Sequence, residues 1–168
     1  MAFELNAINA AASADPAKFI AECDALYNER IADAAQRIID NLPNSPIVLL
    51  SGPSGSGKTT TAMRIRDELK SRGVQSHSIA MDNYFKTVTP TGTPRTASGD
   101  YDLESPLCMD MELMNEHFTL LSRGERIFVP KYEFARHMRV IEPSMSLRLG
   151  KNEVAIFEGI HALNSSIT

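Results

Sequence analysis

A three-layer α/β/α fold on a parallel sheet, preceded by a helical extension, is what this sequence predicts, and three observations carry the prediction. Two continuous apolar runs, Ile47-Val48-Leu49-Leu50 and Val154-Ala155-Ile156-Phe157, read as strands buried on both faces, as strands of parallel sheets are. The first run leads through a glycine-rich turn into a helical pattern, the strand–loop–helix order of α/β proteins. Ahead of it, residues 1–45 carry an amphipathic stripe and no strand signal.

In that extension Asp15-Pro16 opens a helix, the carboxylate as cap and the proline at the first helical position, where a missing N–H costs nothing. Phe19, Ile20, Cys23, Leu26, Tyr27, Ile31, Ala34, Ala35, Ile38, Ile39 and Leu42 recur at steps of three and four, one stripe of a helix or helix pair expected to cover its own domain. Asn41-Leu42-Pro43-Asn44-Ser45-Pro46 breaks it, so residues 46–168 are read as a second unit. There, residues 59–72 read as a helix stopped by Gly73, and residues 74–80 as a second strand. Residues 87–99, rich in Thr, Pro and Gly, read as a loop long enough to have a function. Residues 110–122 read as a helix, and residues 126–130 and 139–142 as two arms of an antiparallel hairpin.

Composition narrows the classes of function. The 168 residues are 43% hydrophobic and 23% charged, an ordinary globular balance that excludes disorder, collagen-like repeats and disulfide scaffolds. A net charge of -4 argues against a nucleic-acid binder that works by neutralising many phosphates. Cys23 and Cys108, far apart and without metal-ligand spacing, read as reduced structural thiols. No apolar run is long enough for a membrane span, and Met1-Ala2-Phe3-Glu4 lacks the basic start of a signal peptide, so a cytoplasmic protein is expected.

Gly52-Pro53-Ser54-Gly55-Ser56-Gly57-Lys58-Thr59 satisfies GxxxxGK[ST] between a predicted strand and a predicted helix. Glycines permit positive φ and close backbone approach, so N–H groups converge on phosphate oxygens at the positive end of the helix. Gly52, Ser54, Gly55, Ser56, Gly57, Lys58, Thr59 and Thr60 are therefore the candidate phosphate-binding residues. Lys58 supplies a mobile charge to the terminal phosphates, and the Thr59 hydroxyl is placed for Mg²⁺. Guanine-specific GTPases carry an NKxD-type motif, and none is found.

Ligands of open parallel sheets lie outside the carboxyl ends of the strands, and two acids qualify there. Asp82 follows the second strand and suits the carboxylate that orients an attacking hydroxyl; Glu158 follows the last and suits the metal. A third constellation is Lys131-Tyr132-Glu133-Phe134-Ala135-Arg136-His137-Met138-Arg139, whose rings can sandwich a flat ligand while His137 and the arginines bond its edge.

With these pieces assembled the chain resembles the uridine kinase and phosphoribulokinase family of P-loop NTPase fold over residues 46–167. The landmarks are the phosphate loop, Met81-Asp82-Asn83-Tyr84-Phe85, Tyr101-Asp102, Val129-Pro130-Lys131-Tyr132-Glu133-Phe134 with His137 and Arg139, and Phe157-Glu158-Gly159-Ile160. Glu158-Gly159-Ile160-His161-Ala162-Leu163-Asn164 is similar to bacterial nucleoside kinases in which a TGS domain often precedes the kinase. The resemblance implies ATP-dependent, Mg²⁺-assisted phosphorylation of a nucleoside 5′-hydroxyl, with Asp82 and Lys58 catalytic. It implies that Asp102 holds the ribose hydroxyls, that Tyr132, Phe134 and His137 surround the base, and that Arg139 lies near the acceptor. Thr59, Asp82 and Glu158 would hold Mg²⁺ directly or through water.

The chain departs from the family at two points. Position 85, commonly a tyrosine whose hydroxyl helps read uridine, is Phe85; and the family's arginine-rich lid and later strands, which follow the Glu-Gly-Ile strand, have no candidates before Thr168. The kinase unit is thus expected to be incomplete at its C-terminal end, leaving the strand before the phosphate loop as an apolar edge that another copy could cover. A kinase for ribulose phosphate or pantothenate, and a nucleotide-binding module without turnover, are the competing readings.

Overall fold

The structure, a computed structural model, describes residues 4–165, so the reading of Met1-Ala2-Phe3 falls outside it. Two helices open the chain, α1 (Leu5–Ala14) and α2 (Pro16–Asn41), and the Asp15 carboxylate caps α2 as expected by accepting from the Lys18 N–H at 3.0 Å. Only the second half of the apolar stripe does the covering. Ile31 and Ala35 are buried, with Tyr27, Ala34, Ile38 and Ile39 packed around them, whereas Ile20, Cys23 and Leu26 stay exposed. Length explains the shortfall: a helix of 26 residues runs about 39 Å, while the 14-residue helix Lys58–Ser71 that it packs against runs about 21 Å.

Three parallel strands follow, β1 (Ile47–Ser51), β2 (Gln75–Ala80) and, at the end of the chain, β5 (Glu153–Gly159), in the order β1-β5-β2. The central strand β5 divides its side chains between two cores. Val154 and Ile156 join Ile65 and Leu69 of α3 (Lys58–Ser71) and the α2 stripe; Ala155 and Phe157 join Met114 and Leu121 of α4 (Met111–Ser122). Helices on both faces of the sheet make the three layers. Burial on both faces therefore holds for β5; β1, paired only to β5 among the described residues, is half-exposed throughout. Its open side runs beside Ile38 of α2 and Phe118 of α4.

The hairpin forms from β3 (Ile127–Glu133) and β4 (Met138–Leu147), longer than its sequence signal because β4 continues past Glu142. Its register shifts between Val129 and Lys131, where Pro130 offers no N–H to the ladder. Residues 141–144 of β4 stand opposite Pro130 alone, and at this shift the inward alternation of β3 is reset: Ile127 and Val129 are buried before it, Tyr132 after it.

Within the core on the α4 side, the Tyr84 hydroxyl and His117 Nδ1 are hydrogen-bonded at 2.8 Å, with Tyr84 fully buried and His117 5% exposed. Burial holds the His117 pKa below that of a free histidine, against the pull of Glu116 and Asp110. The unfolded chain therefore takes up a proton near the ordinary value of about 6.5 that the folded chain refuses, so this contribution to stability is complete above that pH and is lost as pH falls. Urea midpoints measured from pH 8 to 5.5 should drop more steeply for the native sequence than for His117→Gln.

Candidate active site

The loop between β1 and α3 has the geometry its glycines permit. Gly55 and Gly57 take φ of 72° and 85°, a left-handed region closed to most side chains, and Gly57 caps α3 so that Lys58 begins the helix. The loop is folded tightly enough that a Cβ on Gly52 would come within 2.8 Å of Ser56 Oγ. Its outer surface is open: Ser54, Gly55, Ser56, Gly57, Thr59 and Thr60 are all exposed. Lys58 arches back over the loop, its Nζ donating to the Pro53 carbonyl at 2.8 Å.

Both carboxylates stand beside this loop. Ala80 pairs with Glu158 in the parallel register, so the turn Met81–Tyr84, which carries Asp82, lies level with the end of β5. Glu158 lies inside β5, one residue before its end rather than after it, and Glu158 Oε2 accepts from Thr59 Oγ1 at 3.2 Å. Burial raises the Asp82 pKa above the ordinary carboxylate value, opposed by the charges of Lys58 and His161. His161 is thus a neighbour of Asp82 that sequence reasoning gave no role; its Nε2 is buried without a hydrogen-bond partner among the described residues. Tight backbone contact fixes the relation of the two strand ends, since a Cβ on Gly159 would lie 2.8 Å from Met81 Cβ.

Phe85, Tyr132 and Phe134 form an aromatic group with ring centroids 5.6, 5.1 and 6.3 Å apart, along one wall of a cavity of about 170 Å³. Leu103, Leu107 and Cys108 form another wall, and His137 the rim. The long loop thus contributes to the site, as its length suggested, through Thr87, Val88, Thr89 and Thr93. His137 turns the corner into β4 at φ 50°, the only non-glycine among the described residues with positive φ. Two expected residues stand behind the cavity wall. Asp102 bonds through its backbone, its carbonyl accepting from Cys108 Sγ at 3.2 Å, and its charge adds to burial in pushing the Cys108 thiol pKa up. Arg139 donates from Nη1 to Asp110 Oδ2 at 2.8 Å and from Nη2 to the Tyr84 carbonyl at 3.0 Å. Asp110, read from the sequence as nothing more than the start of a helix, is therefore joined to this region.

The donors at the loop fit Mg²⁺. Thr59 Oγ1 and Glu158 Oε2 are hard oxygens at hydrogen-bond distance, with the Asp82 carboxylate on the neighbouring strand end. Among the described residues no three His, Cys, Asp or Glu side chains gather into a cage of their own. Two or three oxygens suit an ion whose remaining ligands are water and phosphate.

A phosphate loop between the edge strand and a helix, with acids at the adjoining strand ends and a cavity alongside, defines the fold of the P-loop kinases. The solved structures agree. The chain matches "a Possible Uridine Kinase from Bacillus stearothermophilus" with a TM-score of 0.60 at 19% identity, covering 82% of this chain and 73% of that one. It matches a D-glycerate 3-kinase from Cryptococcus neoformans with a TM-score of 0.51 at 20% identity, covering 79% and 52%. Residues 47–166 match the model of the phosphoribulokinase / uridine kinase family, and the chain belongs to that family. Among its relatives, the uridine kinase of Halobacterium salinarum is 32% identical over 120 residues, covering 68% of this chain and 48% of the relative. That of Aliivibrio fischeri is 33% identical over 117 residues, covering 68% and 52%. The chain thus spans about half the length of these curated relatives. No helix among the described residues is long and apolar enough to cross a membrane.

Proposed function

We propose that residues 46–168 are the phosphate-loop part of a cytoplasmic, ATP-dependent kinase that transfers a γ-phosphate to the 5′-hydroxyl of a nucleoside, with residues 1–45 as its helical extension. The observation that carries this reading is the placement of Asp82 between the phosphate loop on one side and the aromatic cavity on the other, since Asp82 and Phe85 belong to one short segment. A nucleoside base resting against Tyr132, Phe134 and His137 would direct its ribose toward Asp82. Phe85, Asp102 and Arg139 complete the acceptor side in this reading. Loop N–H groups and Lys58 hold the terminal phosphates, and Lys58 exchanges its bond to the neutral Pro53 carbonyl for one to an anionic phosphate oxygen. Magnesium held by Thr59 and Glu158, with Asp82 through water, offsets phosphate charge in such a site. Asp82 orients the hydroxyl and takes its proton as the new O–P bond forms; a raised pKa makes it a better acceptor than an ordinary aspartate.

The test is ADP release with Mg·ATP against a panel of nucleosides, ribulose 5-phosphate and pantothenate, on this chain and on a C-terminally extended version. Nucleoside-dependent release by either supports the reading; ATP binding with no acceptor stimulating release in both chains overturns it. Lys58→Ala should weaken nucleotide binding about tenfold or more, measured by titration without acceptor, because a charge-assisted phosphate contact is worth about 1.5–3 kcal/mol.

A further inference from the structure

The segment that carries Asp82 and Phe85 belongs to neither a strand nor a long helix, so something must hold it still. Its backbone is tied at several points: Phe85 pairs with Met109, the Lys86 N–H donates to the Cys108 carbonyl at 2.7 Å, and the Val88 N–H to the His137 carbonyl at 2.9 Å. At the centre is a closed ring of three partners. The Tyr84 carbonyl accepts from the Asp110 N–H at 2.9 Å and from Arg139 Nη2 at 3.0 Å, while Arg139 Nη1 donates to Asp110 Oδ2 at 2.8 Å. Asp110 is fixed in turn as the cap of α4, its Oδ1 accepting from the Leu113 N–H at 3.2 Å. Arg139 is fixed at the hairpin, where its own N–H donates to Thr87 Oγ1 at 3.1 Å. One ion pair therefore joins helix α4, the hairpin and the segment between them.

We propose that Asp110 and Arg139 form a positioning pair that holds the Asp82–Phe85 segment against the acceptor cavity, Arg139 acting through Asp110 and Tyr84 rather than by touching substrate. The inference rests on the function proposed above and adds Asp110 to the site. Each terminal nitrogen of Arg139 is turned to a protein acceptor, Asp110 Oδ2 or the Tyr84 carbonyl, and its Nε is buried, so the guanidinium is oriented by the protein's own groups. An exposed ion pair would add little rigidity, but this one is about three quarters buried on both sides and shares its acceptors with backbone groups. Burial alone would raise the Asp110 pKa, yet the hydrogen bond from Arg139, that from Leu113 and the charges of Arg139 and Lys86 bring it below the ordinary value. The planar fork presents two separate nitrogens to the two acceptors in a fixed geometry that the single nitrogen of a lysine does not reproduce.

The experiment compares Asp110→Asn, Arg139→Lys and the double variant by kcat and KM for the acceptor, by ATP affinity and by amide hydrogen exchange. Asparagine keeps the cap oxygen but turns an N–H donor toward Arg139. Each single variant should raise acceptor KM tenfold or more with ATP affinity within twofold of the native value, and the double should be no worse than the worse single. Exchange at Phe85, Lys86 and Val88 should quicken at least tenfold while Ala155–Phe157 keep their protection. An acceptor KM raised by Arg139→Lys but untouched by Asp110→Asn would mean that Arg139 meets substrate itself, and the proposal falls. Exchange that quickens equally in β5 would reduce the pair to a fold support, with the same consequence. If neither this chain nor its extended form turns over an acceptor, the proposed function fails by itself, and the exchange pattern alone decides for or against the pair.

Discussion

Asp82→Asn should lower kcat by roughly 10²–10⁴-fold, the range that a positioned base contributes, and leave ATP affinity nearly intact. Asparagine fills the same space and still bonds a hydroxyl, but it cannot receive the proton. Asp82 is outside the phosphate loop, so the nucleotide contacts survive; losing a negative charge beside Lys58 favours phosphate binding if anything. Single-turnover rates beside equilibrium ATP titration separate the two effects, and equal losses in both would refute the assignment. The pH dependence has a definite sign. Because burial raises the Asp82 pKa, kcat/KM should begin to fall, as pH is lowered, above the ordinary carboxylate value of about 3.9. Since the charge of His161 opposes that rise, His161→Leu should move the acid limb further up the pH scale.

Gly159→Ala is expected to be the most damaging single-methyl change in the chain. The new Cβ would lie 2.8 Å from Met81 Cβ and 3.2 Å from its Sδ, in a place where both residues are buried. A thioether can swing aside; a Cβ moves only with its backbone. The ends of β2 and β5 must therefore part, at a cost of about 1–3 kcal/mol, equivalent to a drop in Tm of roughly 3–10 °C. Activity should fall further than stability, because Met81 precedes Asp82. Met81→Ala in the same background should not rescue it, since alanine keeps the offending carbon; full recovery of Tm would disprove the steric account. Thermal melts of the two variants beside the native chain decide the matter.

How much of this was legible beforehand follows from the range of the forces involved. The Asp15 cap, the phosphate loop, the stop at Gly73 and the apolar run of β5 depend on neighbours a few residues away, and the sequence shows them directly. Edge and centre do not: the runs at 47–50 and 154–157 look alike, and only strand order makes β1 half-exposed and β5 buried. The stripe on α2 overstated its burial because periodicity records an apolar face and says nothing of what lies beneath it. Asp110 was read only as the start of a helix; it caps that helix through Oδ1, and its second oxygen was invisible until Arg139, 29 residues on, came to meet it. Arg139, placed near the acceptor by resemblance, is paired with that carboxylate, a partner no local pattern announces. The register shift of the hairpin, four residues of β4 against one of β3, depends on the pairing of two strands, and the inward turn of Tyr132 goes with it.

His137 sits at φ 50°, where a side chain other than glycine's costs about 1 kcal/mol, and its ring borders the cavity. A library sorted for folding alone would therefore enrich glycine or asparagine at this corner and discard the imidazole. The same library sorted for phosphorylated product should restore histidine, so position 137 is where a stabilising campaign and a functional one would pull the sequence in opposite directions.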